Sequence, residues 1–285
     1  MPVYNAGDFL VESIESILNQ TYKNYEFIIV DDASTDNSWE ILKRFKSRSK
    51  KIKIYRFKKN KGVSATVKYA ISKVKGEFIA RMDADDIAVT NRLDKQLSYL
   101  KSHKQTVAVG GQCVVIDKSG NKIGEKRFPT GFKEIYDYIF KFIPLQQPTL
   151  MIARNRVPRD FIYYLDGMNT AEEVGLLFKL FQYGKVENLA DFVLFYRVHG
   201  KNTSLSHLKT TYLLTLYSRL LAVIKYNYRP KLDGILVTLL QTMVVLILPT
   251  SWTLKLYSMM KNWHAKKSEE RQNVVPSFKL GHEKL

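Results

Sequence analysis

Carboxylates at the ends of predicted strands are the residues of this sequence best suited to chemistry. Asp83 and Asp85 are separated by one alanine and follow the apolar run 77–81. Two carboxylates at this spacing can share one divalent cation, because hard cations such as Mg²⁺ prefer oxygen ligands and readily keep phosphate oxygens and water. Such a pair also occurs by chance as an acidic loop that caps a helix. Its position at a strand end favours the metal-binding interpretation.

Two further carboxylate pairs occupy comparable positions. Asp31 and Asp32 end the apolar run 26–30, where turn formation and helix capping are an alternative explanation. Glu172 and Glu173 open a predicted helix, where the helix dipole alone would stabilise acidic side chains. Two acidic strand ends in one sheet are less easily explained by coincidence than one. The sequence therefore predicts that its chemistry lies in these three pairs.

The spacing of apolar residues predicts the elements that position these carboxylates. Up to residue 105, the pattern predicts strands over 26–30, 52–57 and 77–81 and helices over 8–20, from 37, over 63–74 and over 92–102. This alternation implies an α/β fold with a mostly parallel sheet flanked by helices, in which ligands bind outside the carboxyl ends of the strands. The looser pattern that follows predicts strands over 107–116, 149–153 and 193–198 and helices over 132–142 and 171–183.

Composition narrows the class of protein. The 285 residues are 45% hydrophobic and 25% charged, which excludes a disordered or fibrous chain. The single cysteine, Cys113, excludes an internal disulfide framework and a multi-cysteine metal site, and fits a reducing compartment. No secretory signal pattern opens the sequence, so we expect a cytoplasmic location. The net charge of +18 predicts an anionic partner.

The last 85 residues differ from the rest. Residues 201–285 carry 13 Lys or Arg and 4 Asp or Glu, which is half of the positive excess. Residues 234–254 have no charge and are long enough to span a bilayer, but polar residues dilute them, as in an interfacial or buried helix. Basic and aromatic residues lie on both sides. The pattern predicts that 205–285 is a helical tail that associates with an anionic membrane surface; the alternative is helices that only pack on the preceding domain.

Read in chain order, several motifs together resemble those of the family 2 glycosyltransferases. The motifs are Pro2-Val-Tyr-Asn5, Gln20-Thr-Tyr22, Ile29-Val-Asp-Asp-Ala-Ser-Thr-Asp36, Asn60-Lys-Gly62, Gly76-Glu-Phe-Ile-Ala-Arg-Met-Asp-Ala-Asp-Asp86, Ala171-Glu-Glu173, Gly184-Lys185 and Tyr196-Arg-Val-His199. The resemblance covers about residues 1–204. It implies a Rossmann-like fold of the GT-A type that binds a nucleotide-diphosphosugar, and an inverting transfer assisted by Mn²⁺ or Mg²⁺.

The resemblance implies roles for the residues that would bind the donor. Pro2 and Tyr4 would border the nucleoside pocket. Asp32 would accept a hydrogen bond from the base, most often uracil, with Asp31 supporting it. Asp83 would hold the ribose side of the donor.

It also implies roles for the residues that would act on the transferred sugar. Asp85 would ligate the cation that bridges the diphosphate. His199 would reach the metal or the diphosphate, with a purely structural histidine as the alternative. Glu172 and Glu173 match the acidic pair of the family, which assigns Glu173 as the general base.

Four departures from the family pattern affect these expectations. Met1 directly precedes Pro2 where the family has a complete apolar strand, so the first strand is expected to be truncated. Val67-Lys68 replaces a common Arg-Asn pair, which leaves Lys68 or Lys61 to supply that charge. Gln147 stands in place of a usual histidine, and Glu173 in place of an aspartate.

The resulting prediction is an inverting transferase that moves a sugar from a UDP-sugar to a saccharide or lipid-linked saccharide acceptor. We expect it to work on the cytoplasmic face of the cell membrane in surface polysaccharide or glycolipid synthesis, without binding nucleic acid. One alternative is a sugar-phosphate nucleotidyltransferase, although residues 5–8 are a poor substitute for its glycine-rich phosphate loop. The other is a basic nucleic-acid-binding protein, although no binding motif accompanies the charge.

Overall fold

The computed structural model describes residues 1–164, 171–199 and 208–248. The strands are β1 (Pro2–Val3), β2 (Phe27–Asp31), β3 (Ile52–Arg56), β4 (Phe78–Ala80), β5 (Ile87–Ala88), β6 (Thr106–Ile116), β7 (Lys122–Lys126), β8 (Met151–Ala153) and β9 (Lys185–Arg197). The helices are α1 (Leu10–Leu18), α2 (Ser38–Arg48), α3 (Val63–Ser72), α4 (Arg92–Ser102), α5 (Phe132–Tyr138), α6 (Glu172–Leu180), α7 (Leu208–Lys225) and α8 (Leu232–Ile247). Short 3₁₀ turns occupy Gln147–Thr149 and Arg154–Arg156.

The first sheet has the parallel arrangement that the sequence predicts. Its order is β1-β2-β3, and both pairings are parallel. The β1 strand comprises two residues, with Pro2 opposite Val30, and the Val30 N–H also donates to the Met1 carbonyl at 3.0 Å. All five residues of β2 are buried, which explains why its sequence is uniformly apolar up to Asp31.

The second sheet is mixed rather than parallel. Its strand order is β4-β8-β6-β9-β5, with β7 paired to β6. The β6–β9 pair is parallel, and the other pairs are antiparallel. Antiparallel pairing of β5 with β9 places Ile87 opposite Phe195, which brings the carboxyl end of β9 beside the acidic loop 83–86. The mixed sheet thus connects two segments more than 100 residues apart.

The β9 strand begins eight residues earlier than the pattern predicts. Its first half carries polar residues whose side chains are bound by other segments. Glu187 accepts hydrogen bonds from Tyr99 and Thr106, and the Asn188 amide donates to the carbonyls of Pro129 and Pro144. These partners are distant in sequence, so alternation of apolar residues could not reveal the strand.

Two large clusters of buried apolar residues hold the elements together. One includes Ile14 and Ile29 and joins α1, α2 and α4 to both sheets. The other includes Leu177 and Val186 and joins α5, α6 and β9. Each fully buried aliphatic side chain contributes roughly 1.5–3 kcal/mol. This packing holds the strands whose ends carry the candidate site.

Helices α7 and α8 lie within the segment 205–285 that the sequence predicts as a helical tail. Ala222 of α7 and Tyr228 of the connection to α8 belong to the second apolar cluster. No helix within residues 1–164, 171–199 and 208–248 is long and apolar enough to cross a bilayer. Residues 205–207 and 249–285 of the predicted tail lie outside the described residues.

Candidate active site

The loops that follow β1 and β2 are bound to each other. Asn5, at φ 49°, donates its N–H to Ser34 Oγ at 3.0 Å and accepts the Thr35 N–H on its Oδ1 at 2.8 Å. Asparagine is one of the few residues that tolerate this left-handed backbone. Tyr4, which the resemblance assigns to the nucleoside pocket, is 52% exposed beside this junction. The first predicted donor-binding segment therefore lies against the second.

The two aspartates that end β2 have different partners. Asp31 is fully buried and its Oδ2 lies 2.9 Å from Arg56 Nε. Asp32 accepts the backbone N–H groups of Lys61 and Gly62 on its two oxygens, at 2.8 and 2.9 Å. Asp32 thereby holds the loop before α3 against the end of β2.

A basic cleft with an aromatic wall adjoins this loop. A cavity of about 530 Å³ is lined by Arg56, Phe57, Lys58, Lys59, Lys61 and Tyr69. The Lys61 ammonium lies 4.5 Å from the centre of the Phe57 ring, and the Phe57 and Tyr69 rings meet edge to face at 5.2 Å. Aromatic surface beside several cations suits a ligand that combines a ring with negative charge.

Asp83 is held by a buried arginine that sequence reasoning missed. Arg81 Nη2 lies 2.8 Å from Asp83 Oδ1 and donates to Gln147 Oε1 at 3.3 Å. Burial raises the pKa of the Asp83 carboxyl, although the Arg81 charge opposes this. The only sequence signal for Arg81 was its place two residues before Asp83, on the same face of an extended segment.

The Glu172–Glu173 pair opens α6 after Ala171, which has a φ of 57°. Burial, and then repulsion by Glu172, raise the pKa of Glu173 to about 8. The pKa of Glu172 is also raised by burial, with the Arg81 charge acting against the shift. Arg81 acts electrostatically on Asp83 and on both glutamates, so the third carboxylate pair belongs to the same polar site. A carboxyl with a pKa near 8 is well suited to exchange a proton near neutral pH.

Asp85 and His199 meet although 114 residues separate them. His199 Nε2 lies 2.9 Å from Asp85 Oδ2, and Phe9 stacks on the imidazole at 4.9 Å. Arg197, which ends β9, donates from its Nε to the Asp85 carbonyl at 2.9 Å. The end of β9 therefore positions both the histidine and the backbone of the acidic loop.

Asp86 is a buried anchor for the same loop. Its Oδ1 accepts the Arg197 N–H at 2.9 Å, and its Oδ2 has no hydrogen-bond partner in the part of the chain that the structure describes. Burial and the neighbouring Asp85 and Asp83 raise the pKa of Asp86 well above its ordinary value. Asp86 thus joins the acidic loop to β9 and is too enclosed to bind a ligand.

Two side chains of the candidate site could bind a divalent cation. A carboxylate oxygen of Asp85 and an imidazole nitrogen of His199 converge, and both side chains are partly exposed. No group of three or more His, Cys, Asp or Glu that could hold a metal occurs within residues 1–164, 171–199 and 208–248. Two ligands fit Mn²⁺ or Mg²⁺ when substrate phosphate oxygens and water complete the shell.

Comparison with known proteins agrees with this geometry. The family model described as glycosyl transferase family 2 matches residues 1–161, which is more than half of the chain. The chain belongs to the family 2 glycosyltransferases. An uncharacterized glycosyltransferase of Methanocaldococcus jannaschii is 31% identical to this one over 222 residues, which cover 76% of each protein. The O-antigen biosynthesis glycosyltransferase WbnJ of Escherichia coli is 31% identical over 73% of this chain and 82% of that protein.

Solved structures share the GT-A fold of this glycosyltransferase. Residues 1–349 of S. aureus TarS in complex with UDP-GlcNAc align with a TM-score of 0.60 at 18% identity, over 77% of this chain and 65% of that one. The mannosyltransferase PcManGT of Pyrobaculum calidifontis, in complex with GDP-Man and Mn²⁺, aligns with a TM-score of 0.54 at 15% identity, over 91% and 78%. EpsE of Bacillus subtilis is 42% identical over 42% of this chain, and the match spans only 44% of EpsE.

The structure gathers the predicted site residues of this glycosyltransferase into two adjoining groups. Pro2, Tyr4, Asp31, Asp32 and Lys61 lie along the carboxyl edge of the first sheet. Asp83, Asp85, His199, Glu172 and Glu173 are connected through Arg81 and the end of β9. Their individual roles remain predictions.

Sequence reasoning missed the basic cleft apart from Lys61. Eleven basic residues and no acidic one occur between Lys43 and Lys61, and such a run is typical of a solvated surface. The available signal was the presence of the aromatic residues Phe57 and Tyr69 within and shortly after this run, since both line the cleft.

Proposed function

We propose that this glycosyltransferase moves a sugar from a UDP-sugar to a saccharide or lipid-linked saccharide acceptor, with inversion at the anomeric carbon, in surface polysaccharide synthesis. The observation that carries the proposal is that Asp83 and the Glu172–Glu173 pair lie around Arg81, with the Asp85–His199 contact two residues along the same acidic loop. The UDP-GlcNAc complex of TarS supports the choice of donor. The O-antigen role in the name of WbnJ supports the class of product.

Asp85 and His199 are the residues that would hold Mn²⁺ or Mg²⁺. When bound, the cation supplies positive charge that neutralises the diphosphate as it leaves. The Mn²⁺ complex of PcManGT supports a divalent metal in this fold. Arg197 keeps the Asp85 backbone in position, and Phe9 keeps the imidazole plane in position.

Residues at the carboxyl edge of the first sheet, together with Asp83, would bind the rest of the donor. Asp32 would accept a hydrogen bond from the base while it holds the loop at Lys61 and Gly62. A carboxylate has about four lone-pair sites, so two backbone bonds leave capacity for a third. Asp83, fixed by Arg81, would hold the ribose, and the lysines of the cleft would attract the diphosphate.

Glu173 would take the proton of the acceptor hydroxyl as that oxygen attacks the anomeric carbon. A single displacement from the face opposite the leaving diphosphate inverts that carbon and needs no covalent enzyme intermediate. Cys113 could not serve as a nucleophile, because burial raises the pKa of its thiol to about 12. One positioned general base contributes typically about 10²–10⁴-fold to the rate.

Product analysis tests the proposed reaction. Incubation with a panel of UDP-sugars, a divalent cation and acceptors is expected to release UDP and to yield a glycoside of inverted configuration, read from the anomeric coupling constant by NMR. Formation of a UDP-sugar and pyrophosphate from UTP and a sugar 1-phosphate, with no transfer from the UDP-sugars, would instead establish a nucleotidyltransferase. A glycoside of retained configuration would contradict the single displacement.

Removing the Asp32 side chain is expected to weaken UDP binding. Asp32→Ala should weaken the free energy of UDP binding by about 1.5–3 kcal/mol, typical of hydrogen bonds to a charged group. This corresponds to an increase of about 10–150-fold in the dissociation constant measured by calorimetry. Asp36→Ala is the matched control, because Asp36 also accepts two backbone N–H groups in a neighbouring loop, those of Gly7 and Ser38. If both variants lost UDP affinity equally, or if Asp32→Ala kept its UDP affinity, Asp32 would not bind the base.

A further inference from the structure

Helix α8 turns its polar side chains towards the protein. Thr238 is buried and donates from its Oγ1 to the Phe140 carbonyl at 2.7 Å, and the Gln241 amide donates to the Lys141 carbonyl at 2.9 Å. Asp233 pairs with Lys141 at 2.7 Å. These contacts fix the rotation of α8 about its axis, so the opposite side of the helix must face outwards.

The outward side of α8 is apolar. Its exposed residues recur three and four positions apart and are Leu232, Leu236, Leu239, Leu240, Met243, Leu246 and Ile247. Leu232 is 71% exposed and Ile247 is 75% exposed. A helix on the surface of a water-soluble domain has the reverse arrangement, with its apolar stripe against the core.

Helix α7 has the same inverted pattern. Arg219 is 2% exposed and donates from Nη1 to Gln241 Oε1 of α8 at 3.0 Å, while Thr215 and Ser218 are also buried. The exposed stripe of α7 comprises Leu213, Tyr217, Leu220 and Ile224. We call the exposed stripes of α7 and α8 together the apolar face. Exposed apolar residues in such number on two packed helices are typical of an interaction site.

The positive charge around the apolar face favours an anionic partner. Lys225, Arg229 and Lys231 are exposed at the connection between the two helices. Residues 201–285 carry 13 basic and 4 acidic residues, and Trp252, Tyr257 and Trp263 occur in the sequence after α8. An anionic lipid surface complements this charge and accepts apolar and aromatic side chains at its interface. A second copy would bring the same positive charge against it.

The apolar face is one helix layer away from the proposed general base. Helix α6 begins at Glu172 and packs on α7, where a Cβ added at Gly175 would lie 3.5 Å from Ser218 Oγ. A bilayer that contacts the apolar face would therefore lie close to the helix that begins with the glutamate pair.

We propose that the apolar face docks on an anionic bilayer surface, the cytoplasmic leaflet of the cell membrane, with α7 and α8 lying in the interface. The hydrogen bonds of α8 to the Phe140 and Lys141 carbonyls and the packing of α7 on α6 keep the inner sides of both helices on the catalytic domain, so only the outer sides enter the lipid. Docking presents the site to a lipid-linked acceptor; this last step rests on the proposed function.

Vesicle flotation of the full 285-residue chain tests the docking. We expect binding to vesicles of 70% phosphatidylcholine and 30% phosphatidylglycerol, and at least tenfold weaker binding to pure phosphatidylcholine. The combined substitution Leu236→Ser, Leu240→Ser and Met243→Ser should reduce binding to the anionic vesicles at least tenfold. The matched control Ile123→Ser and Ile162→Ser, at exposed apolar residues of β7 and of the loop before α6, should bind like the unmodified chain.

A second variant keeps the test independent of folding defects in α8. Lys225→Glu with Arg229→Glu leaves every apolar side chain in place and should also weaken binding to the anionic vesicles at least tenfold, with an unchanged unfolding temperature. Absence of flotation of the unmodified chain, or equal flotation of the serine variant, would overturn the proposal. The proposal would also be overturned if sedimentation without vesicles showed that the unmodified chain is a dimer and the serine variant a monomer, because the partner of the apolar face would then be a second copy. Flotation needs no substrate, so the docking proposal can be judged from it even if the proposed sugar transfer is wrong.

Discussion

Asp85→Asn is expected to reduce sugar transfer by about 10²–10³-fold while the unfolding temperature stays the same. The amide keeps the size of the side chain but removes the negative charge that would hold the cation, and metal stabilisation of a leaving group is worth several kcal/mol. The measurement is the initial rate of UDP release as a function of Mn²⁺ and Mg²⁺ concentration. The variant should need far more cation than the unmodified enzyme to reach half of its maximal rate.

Glu40→Gln is the control for a lost acidic charge, because Glu40 is 62% exposed on α2 and pairs only with Lys43 among the contacts of the described residues. Its transfer rate should equal that of the unmodified enzyme. If Asp85→Asn were fully active in the presence of EDTA, the metal-dependent mechanism would be wrong.

Glu173→Gln is expected to lower kcat by about 10²–10⁴-fold with little change in donor affinity. The glutamine cannot accept the proton of the acceptor hydroxyl, and general-base catalysis typically contributes that factor. Only the transition state uses the base, so the dissociation constant of UDP-sugar measured by calorimetry should stay within about threefold of its original value. Glu172→Gln is the neighbouring control and should keep most of the activity; the assignment within the pair is reversed if Glu172→Gln is the inactive variant.

The pH dependence gives the Glu173 assignment a second, independent readout. Burial and the Glu172 charge disfavour ionised Glu173 and raise its pKa to about 8, so the base is mostly protonated, and inactive, below that pH. The kcat/KM of the unmodified enzyme should therefore rise as pH increases through about 8 and level off above it. Glu172→Gln removes the repulsion, so its rising limb should move to lower pH. If kcat/KM of Glu172→Gln rose over the same pH range as that of the unmodified enzyme, a group other than Glu173 would control the pH dependence.

Helices and strands governed by local periodicity were predictable from the sequence. The α4 helix has the predicted bounds, Arg92–Ser102, because Leu93, Leu97 and Leu100 form a single buried stripe. The β2 strand was predictable because it is buried throughout and therefore apolar throughout. The three carboxylate pairs were also identifiable, because each lies at the beginning or end of such an element.

The sequence by itself therefore determined the family, the order of the main elements and the acidic residues of the candidate site. Only the tertiary structure decided what these residues contact. The Arg81 interactions with Gln147 and the glutamates, and the meeting of Asp85 with His199, join segments 66 to 114 residues apart. The outward apolar face of α8 likewise depends on hydrogen bonds to Phe140 and Lys141, about 100 residues earlier. The periodicity of a sequence shows which side of a helix is apolar. Whether that side faces the core or the solvent depends on what the polar side contacts. Those contacts are made with segments distant in sequence and are therefore set by the tertiary packing.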